Sequence, residues 1–432
     1  MSATTIVTCP AGTITGITPG DGTRRFHSIP YSELESPYAD PRPRRGGEEI
    51  DATVARPEAI ALSVTCPDTA TRDKPVVVYI HGGRFEEGTH EDPRVDGALY
   101  SSDVIVVQIG YRVMLEGLAR FHDDEPNRYR AIDDCLIGLE WVQKNIESFG
   151  GDPTNVTLVG QSAGASIAAW MCRRDHYRGA FRRVLAASAS FPRRGWHDRK
   201  KLLRGMLGKP LTRAALTKVN DRKTAKAYGR FRTLAGTDIA LGPWPLETAA
   251  MADVDIVVTT TRDELYHEPS VRWLDEHGLG PAMARLSARA LGLSGTTATY
   301  LEAARAIDPD RLGGRLIGDA VIRRWSQYLA DGAPGRVWMA EFRGVDKPAL
   351  HCAELAPLFA SGGCSAEHPL HRWLVEFART GEPGWQPYHE DTGRQAMDIS
   401  LVDGQFTPTR DPLRYVRLAF PDAYSAKALR KR

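Results

Sequence analysis

The chain has 432 residues, and its 56 Lys and Arg residues nearly balance its 54 Asp and Glu residues, for a formal net charge of +2. The chain therefore lacks the overall charge excess that is typical of nucleic-acid-binding proteins and of chains with acidic tails. With 42% hydrophobic and 25% charged residues, the composition is that of a globular protein able to bury a large core. We therefore expect a folded protein with no nucleic-acid partner.

The start of the chain has neither the charged first region nor the long apolar stretch of a secretory signal. The longest apolar strings are far below the roughly 20 residues that a membrane helix needs. No C-x-x-C pair occurs, so free thiols in a reducing compartment are expected rather than a disulfide framework or a metal site. The six cysteines are Cys9, Cys66, Cys135, Cys172, Cys352 and Cys364. Together these features predict a cytoplasmic protein that does not contact membranes.

Short apolar runs alternate with segments of helical period from Pro75 onward. The runs are Val76 to Ile80, Val104 to Ile109, Val156 to Val159, Val184 to Ala187, Ile256 to Thr259 and Val337 to Ala340. Near-continuous apolar runs are typical of strands that are covered on both faces, as in a parallel sheet. Between the second and third runs, apolar residues recur every three or four positions from Arg130 to Phe149, which predicts an amphipathic helix. The segment from Pro37 to Gly46 is expected to be an exposed loop.

One segment departs from the even charge balance. From Arg193 to Arg232 there are fourteen Lys and Arg residues but only two acids, Asp198 and Asp221, an excess of +12. We call this the basic segment. It lies between the fourth and fifth predicted strands, where an inserted cap would lie. Two interpretations stay open, a solvated helical surface and a lid that attracts an anionic substrate.

The pattern Gly160-Gln-Ser-Ala-Gly164 follows the run Val156 to Val159 and precedes an Ala-rich helical stretch from Ala165 to Cys172. In this strand-turn-helix context, G-x-S-x-G predicts a sharp turn that exposes the serine hydroxyl, and glycines let strand and helix approach each other. Ser162 is therefore the candidate nucleophile.

A nucleophilic serine needs a base, an acid that orients the base, and N–H donors for the oxyanion. The glycine-rich turn His81-Gly-Gly-Arg-Phe85 after the first predicted strand is a candidate for the donors. Glu264 follows the run Ile256 to Thr259, and His351 lies after the run Val337 to Ala340. Acid and base thus follow the serine in the order that this chemistry uses in strand-turn-helix hydrolases.

With these residues in place, the sequence resembles the type-B carboxylesterase (cholinesterase-like) family of α/β-hydrolases over most of its length. The segments that resemble family motifs are Phe26-His-Ser-Ile-Pro-Tyr-Ser32, His81-Gly-Gly-Arg-Phe85, Trp141-Val-Gln-Lys-Asn-Ile-Glu-Ser-Phe-Gly-Gly-Asp-Pro-Thr-Asn-Val-Thr157, Gly160-Gln-Ser-Ala-Gly164, Thr260-Thr-Arg-Asp-Glu264, His351 before Glu354-Leu355, Phe377-Ala-Arg-Thr-Gly381 and Trp385-Gln-Pro-Tyr388. Their order along the chain matches the order in the family.

The resemblance implies an α/β-hydrolase fold, with a mostly parallel central sheet flanked by helices and a reduced helical cap inserted after the nucleophile half. Residues 1–432 would form one domain, and residues 193–245 the basic cap within it. The implied site is a Ser162, His351 and Glu264 triad, with an oxyanion hole from the backbone N–H groups of Gly83, Arg84 and Ala163. The implied partner is a small-molecule ester, and neither a metal nor an organic cofactor is needed. The oligomeric state is left open.

Neighbouring residues offer alternatives to two members of this set. Asp263 competes with Glu264 as the acid. His368, His371 and His389 compete with His351, but the first two are expected to be surface residues, because no cysteine or acid pair accompanies them. His81 is expected to be a structural turn residue, and Ser188 aligns with a family serine that lies behind the triad.

Two departures from the family bear on the substrate. Arg84 stands where the family usually has glycine, and its guanidinium could recognise a substrate carboxylate or narrow the acyl pocket. Gln161 replaces a frequent glutamate and removes a negative charge from the pocket. We therefore expect Arg84 and Gln161 to contact the substrate and to favour an anionic or polar ester. Two alternatives remain, an acyltransferase or cyclase with the same triad, and an inactive interaction domain, which the intact triad disfavours.

Overall fold

A computed structural model of the protein describes residues 3–70, 72–96, 103–236, 238–421 and 424. The strands are Ala3–Cys9 (β1), Gly12–Thr18 (β2), Thr23–Ile29 (β3), Ser32–Glu33 (β4), Arg42–Pro43 (β5), Glu48–Asp51 (β6), Leu62–Pro67 (β7), Lys74–Ile80 (β8), Ile105–Ile109 (β9), Gly151–Gln161 (β10), Arg183–Ala187 (β11), Asp255–Thr261 (β12), Val337–Arg343 (β13), Gln395–Ser400 (β14) and Phe406–Arg410 (β15). The helices are Met114–Leu118 (α1), Arg130–Asn145 (α2), Ala163–Met171 (α3), Trp196–Leu207 (α4), Arg213–Leu216 (α5), Asp221–Leu234 (α6), Pro269–Glu276 (α7), Gly280–Ser287 (α8), Thr297–Ile307 (α9), Leu312–Gly318 (α10), Arg324–Gly332 (α11), Leu355–Phe359 (α12), Pro369–Thr380 (α13) and Arg414–Ala419 (α14).

One large sheet organises the fold, and within the described ranges it has thirteen strands. The strand order is β1-β2-β3-β7-β9-β8-β10-β11-β12-β13-β14-β15, with β6 paired to β2. All neighbours from β9 to β14 pair in parallel, and the outer strands pair mostly antiparallel. The predicted mostly parallel sheet is therefore confirmed, and each of the six predicted apolar runs falls on a strand of its parallel part.

The parallel strands are apolar throughout because both of their faces are covered. In β8, Val76, Val78 and Ile80 pack into the hydrophobic layer on one side of the sheet. Val77 and Tyr79 of the same strand pack into the layer on the other side. Successive side chains of a strand point to opposite faces, so a strand between two helical layers has no position for a solvated residue.

The predicted helix from Arg130 to Phe149 is confirmed, with a change of geometry near its end. It is α-helical as α2, and then continues as a 3₁₀ turn over Ile146–Phe149. Gly150 ends it with a φ of 93°, in the left-handed region that glycine adopts most readily. This helix packs against the sheet through Ile132, Leu139 and Val142, which belong to the core.

The basic segment forms three helices, α4, α5 and α6, between β11 and β12. Their apolar residues, among them Leu203, Leu207 and Phe231, are buried in the core, while most of their cations face outward. The exposed cations include Arg194, Lys201, Arg204, Lys209, Lys218, Arg222, Lys223, Lys226 and Arg230. Others pair with acids elsewhere, as Arg199 does with Asp238, Arg213 with Asp124 and Arg232 with Glu86.

The structure also bears on the cysteines, on the predicted loop and on membrane-spanning helices. The six cysteines are all free thiols, as predicted. The segment from Pro37 to Gly46 is mostly exposed, although Tyr38 within it is buried and β5 pairs with β4. Across the described ranges, every helix is too short or too polar to pass through a bilayer.

Candidate active site

The candidate residues lie where the parallel strands end. Ser162 directly follows β10, Ser188 directly follows β11, and Glu264 comes three residues after β12. His351 lies on the loop between β13 and α12. Because the carboxyl ends of parallel strands share one edge of a sheet, residues that are far apart in sequence meet at that edge.

Ser162 occupies a strained turn between β10 and α3. Its φ of 55° and ψ of −118° lie outside the regions that non-glycine residues normally adopt. Its backbone N–H donates to the carbonyl of Ala187 at 2.8 Å, which anchors the turn to the next strand. This is the turn that the G-x-S-x-G pattern predicts.

Both glycines of the pattern are required by close backbone approach. A Cβ on Gly160 would lie 2.4 Å from the carbonyl oxygen of Gly164. A Cβ on Gly164 would lie 2.0 Å from the carbonyl oxygen of Ile80. Any side chain at either position would therefore push the helix away from the strands that hold Ser162.

Glu264 is a buried carboxylate surrounded by donors, with 1% of its surface exposed. Its Oε1 accepts hydrogen bonds from Ser188 Oγ at 2.7 Å, Thr260 Oγ1 at 2.6 Å and the Thr261 backbone N–H at 2.8 Å. Burial alone would raise the pKa of this carboxyl. The nearby His351 and the hydroxyl donors outweigh burial, so the pKa of Glu264 falls to about 2.

His351 is held by Glu264 at two points. Its Nδ1 lies 2.6 Å from Glu264 Oε2, and its backbone N–H donates to the Glu264 carbonyl at 3.0 Å. Burial would lower the pKa of the imidazole, but the charge of Glu264 outweighs it and raises the pKa well above its usual range. The carboxylate therefore fixes both the orientation of the ring and the nitrogen that carries its proton.

Asp263, the alternative acid, makes different contacts. Its Oδ2 accepts from the Ala349 backbone N–H at 3.0 Å, and its Oδ1 pairs with Arg311 at 3.3 Å and Arg315 at 3.5 Å. It is thus Glu264 that the structure brings to the imidazole of His351.

The contacts of the other candidate histidines are with residues other than Ser162 and Glu264. His368 is half-buried and caps α13, accepting from the Leu370 N–H. His389 is exposed. The expectation that His371 is a surface residue is wrong: it is buried, and its Nδ1 lies 3.2 Å from the carbonyl oxygen of Leu358. An i, i+3 spacing at a helix start cannot show which side faces the core.

The turn after β8 lies against the nucleophile. A Cβ on Gly82 would be 3.2 Å from Ser162 Cβ, and the Glu86 N–H closes the turn on the Gly83 carbonyl at 2.8 Å. Gly83 and Arg84 both have positive φ, 100° and 57°. Together with the Ala163 N–H at the start of α3, their backbone N–H groups donate to none of the residues that the structure describes. Their role as oxyanion donors stays a prediction.

His81 is buried and stacks on Tyr111, with ring centroids 4.1 Å apart. Its Nδ1 lies 2.8 Å from the Gly82 carbonyl oxygen. Burial lowers the pKa of His81 to about 4, so the ring is neutral at physiological pH. These contacts are those of the structural turn residue that the sequence predicts.

The side chains of Arg84 and Gln161 have unexpected partners. Arg84 Nη1 pairs with Glu268 Oε1 at 3.2 Å, and the two side chains are 42% and 36% exposed. Gln161 is fully buried, and its Nε2 lies 3.4 Å from His351 Nε2. Ser162 Oγ makes no hydrogen bond to any described residue. The substrate contacts predicted for Arg84 and Gln161 stay predictions, and Gln161 offers a substrate no open surface in this structure.

Comparison with known proteins agrees with this architecture. Residues 48–206 match the model of the carboxylesterase family. A para-nitrobenzyl esterase of Bacillus subtilis is 25% identical over 94% of this chain and 96% of its own. The chain is thus similar over nearly its whole length to a carboxylesterase-type enzyme, and over residues 48–206 to the carboxylesterase family. A solved structure of a para-nitrobenzyl esterase superposes with a TM-score of 0.77 at 25% identity, over 96% of this chain and 99% of that chain.

A second relative is also similar over most of the chain. A probable N-octanoylanthranilate hydrolase of Rhodococcus erythropolis is 25% identical over 90% of this chain and 96% of its own. The predicted α/β-hydrolase fold is confirmed, and the chain is a carboxylesterase-type hydrolase.

Sequence reasoning missed several residues that the structure adds to the site. Thr260 lies inside the quoted motif, but only the geometry shows its bond to Glu264. Glu268, the partner of Arg84, belongs to none of the motifs quoted above. Glu354 is fully buried three residues after His351, and burial, then the charge of Glu264, raises its pKa to about 7. Its carboxylate oxygens have no hydrogen-bond partner among the described residues.

The depressed pKa of Glu264 predicts how stability depends on pH. A carboxyl with a folded-state pKa of about 2 and an ordinary value of 4.5 stabilises the fold fully above about pH 4.5 and loses that contribution as the pH falls towards 2. We therefore expect Glu264→Gln to reduce the pH dependence of the free energy of unfolding in this window. Urea titrations at several pH values measure it. Parallel curves for wild type and variant would contradict the assignment.

Proposed function

We propose that this protein hydrolyses carboxylic esters through Ser162, His351 and Glu264, by way of an acyl-enzyme. The observation that carries the proposal is the 2.6 Å contact between His351 Nδ1 and Glu264 Oε2, at the sheet edge where the strained turn of Ser162 lies. A nucleophile, a base and an orienting acid at one edge are what acyl transfer requires.

The reaction begins with the tautomer that Glu264 selects. The proton of His351 is on Nδ1 and donates to Glu264, so Nε2 is free to take the proton of Ser162 Oγ. The serine oxygen forms a bond to the ester carbonyl carbon, and the carbonyl oxygen becomes an oxyanion. We assign the stabilisation of this oxyanion to the N–H groups of Gly83, Arg84 and Ala163.

Collapse of the tetrahedral intermediate releases the alcohol, which leaves with the proton from His351 Nε2. Water then gives a proton to His351 and attacks the acyl-enzyme carbonyl. Collapse of this second intermediate breaks the bond to Ser162 Oγ, which takes the proton back from His351 Nε2. The products are a carboxylic acid and the regenerated serine. Glu264 stays ionised throughout, because its three other donors and the imidazolium all favour the charged form.

We propose further that the preferred ester is anionic or strongly polar. Arg84 carries a guanidinium on the turn that holds two of the assigned oxyanion donors, and Gln161 brings no charge. The basic segment adds cations on helices tied to the same turn, since Arg232 of α6 pairs with Glu86 at 3.3 Å. We take residues 193–245 as the cap on this basis. One relative is a probable N-octanoylanthranilate hydrolase, and the anthranilate part of that compound bears a carboxylate, which fits this preference.

The first prediction concerns the nucleophile. A fluorophosphonate probe should label Ser162 alone, because only an activated serine beside an oxyanion hole reacts quickly with it. Intact-mass spectrometry of the wild-type protein should show one adduct, and peptide mapping should locate it on Ser162. The matched control is Ser166→Ala, one turn further along α3, which should still be labelled. Labelling that persists in Ser162→Ala would contradict the assignment of Ser162 as the nucleophile.

The second prediction separates the two adjacent acids. Removing the base by His351→Ala should lower kcat by on the order of 10⁴-fold or more, and Glu264→Gln should cost less, because the acid only orients and stabilises the imidazolium. Asp263→Asn should instead act mainly on stability, through Ala349 and Arg311. Steady-state kinetics with thermal melts on each variant measure this. Full activity in Glu264→Gln with loss in Asp263→Asn would reverse the roles.

The third prediction concerns substrate charge. For a matched pair of esters, one neutral and one bearing a carboxylate, wild-type kcat/KM should favour the anionic ester by roughly tenfold, the scale of one hydrogen-bonded ion pair. Arg84→Ala should remove this preference. Glu268→Gln should increase it, because the substrate carboxylate then no longer competes with Glu268 for the guanidinium.

The control for this comparison is Arg272→Ala on α7, which breaks another exposed Arg–Glu pair, with Glu276 at 3.3 Å. Its preference should equal that of the wild type, and raising the salt concentration should weaken the wild-type preference. Equal kcat/KM for both esters in the wild type, or a preference that Arg84→Ala leaves unchanged, would contradict the role of Arg84.

A further inference from the structure

Gln161 touches the ring nitrogen that the chemistry needs. It is the last residue of β10, it is fully buried, and its Nε2 lies 3.4 Å from His351 Nε2. Its Oε1 has no hydrogen-bond partner among the described residues. A Cβ on Gly82 would come within 2.5 Å of that Oε1, so the glycine leaves room for the amide. Among the described residues, the side-chain amide of Gln161 thus has one hydrogen-bond partner, His351 Nε2.

The donors and acceptors in this contact fit one protonation state of His351. With the Nδ1–H directed to Glu264, a neutral imidazole presents a lone pair at Nε2, and the amide N–H of Gln161 can donate to it. An imidazolium would present an N–H at Nε2 instead. Two donors would then face each other in a buried site, which is unfavourable. The contact therefore favours the neutral base.

We propose that Gln161 is a positioning residue for ester hydrolysis, whose amide N–H favours the unprotonated form of His351 Nε2 in the resting enzyme. The inference rests on the proposed function, because it assumes that His351 is the base for Ser162. When the ester binds and Ser162 Oγ turns to Nε2, the serine hydroxyl replaces the amide as the donor. Gln161 therefore changes the fraction of His351 that is neutral before the reaction, and it takes no part in the bonds that form and break.

Other groups around His351 act in the opposite direction. Glu264 lies against Nδ1, and the Cys352 side chain and the charge of Glu264 both favour the protonated ring. The carboxyl of Glu354 also favours the protonated ring, whereas Arg323 is a cation that interacts with Glu264 and opposes a positive charge on the ring. With these groups alone, the resting base would hold a proton over a wider pH range. An amide donor at Nε2 counters them, whereas a carboxylate at position 161 would reinforce them.

The test is the pH profile of kcat/KM on a neutral ester, p-nitrophenyl acetate, whose acid limb reports the ionisation of the free enzyme. Gln161→Met keeps the size of the side chain but removes the N–H, and Gln161→Glu keeps the shape but adds charge. We expect the acid limb to move to higher pH in both variants. On that limb, activity should fall several-fold in Gln161→Met and about tenfold or more in Gln161→Glu, with a nearly unchanged alkaline plateau.

The matched control is Gln108→Met, since Gln108 is a buried glutamine on β9 that bonds Asp92 and Val95 and not His351. Its acid limb should coincide with that of the wild type, even if its thermal stability falls. An NMR titration of the His351 imidazole in each variant should give the same shifts without relying on turnover.

Acid limbs of both variants that superimpose on the wild-type limb, or that move to lower pH, would overturn the role of Gln161. If Gln161→Met fails to fold, an unshifted or lowered acid limb in Gln161→Glu still overturns the role, because a carboxylate beside the ring should favour its protonated form. Fluorophosphonate labelling of Ser162 in the same variants separates this result from the proposed function. Labelling with unshifted limbs overturns only the inference, whereas absence of labelling in the wild type overturns the triad.

Discussion

The carboxylate of Glu264 is the group on which the rest of the site depends. An ionised carboxylate without water is costly to bury, and it is tolerated only when charge and hydrogen bonds compensate it. Here the compensation comes from the ends of three neighbouring parallel strands: Ser188 after β11, Thr260 and Thr261 in β12, and His351 after β13. Glu264 therefore stays ionised only while these three strand ends keep their relative positions. The same positions place the His351 imidazole against the carboxylate.

Much of this arrangement could be predicted from the sequence, because local patterns carry it. Apolar runs give the buried strands, and G-x-S-x-G gives a turn whose glycines are required by contacts of 2.4 and 2.0 Å. Resemblance to a family adds Glu264 over Asp263, which the residues alone leave open. Each of these signals lies within a few residues of the feature that it predicts.

What the sequence could not predict are contacts between side chains that are distant along the chain. The partner of Arg84 is 184 residues away, and the partner of Gln161 is 190 residues away. No periodicity or motif links such pairs, since they depend on how two loops approach each other. The error on His371 has a related cause, because burial of a helix end depends on what packs above it, here the carbonyl of Leu358.

The strained backbone of Ser162 has a consequence for how this chain could change over time. Its φ of 55° with a ψ of −118° is costly for serine but open to glycine. Serine at this position therefore opposes stability, and glycine would relieve the strain while deleting the hydroxyl. Selection for folding alone would therefore favour glycine at position 162. A serine at so unfavourable a backbone position is explained by a need for its hydroxyl and not by the stability of the fold.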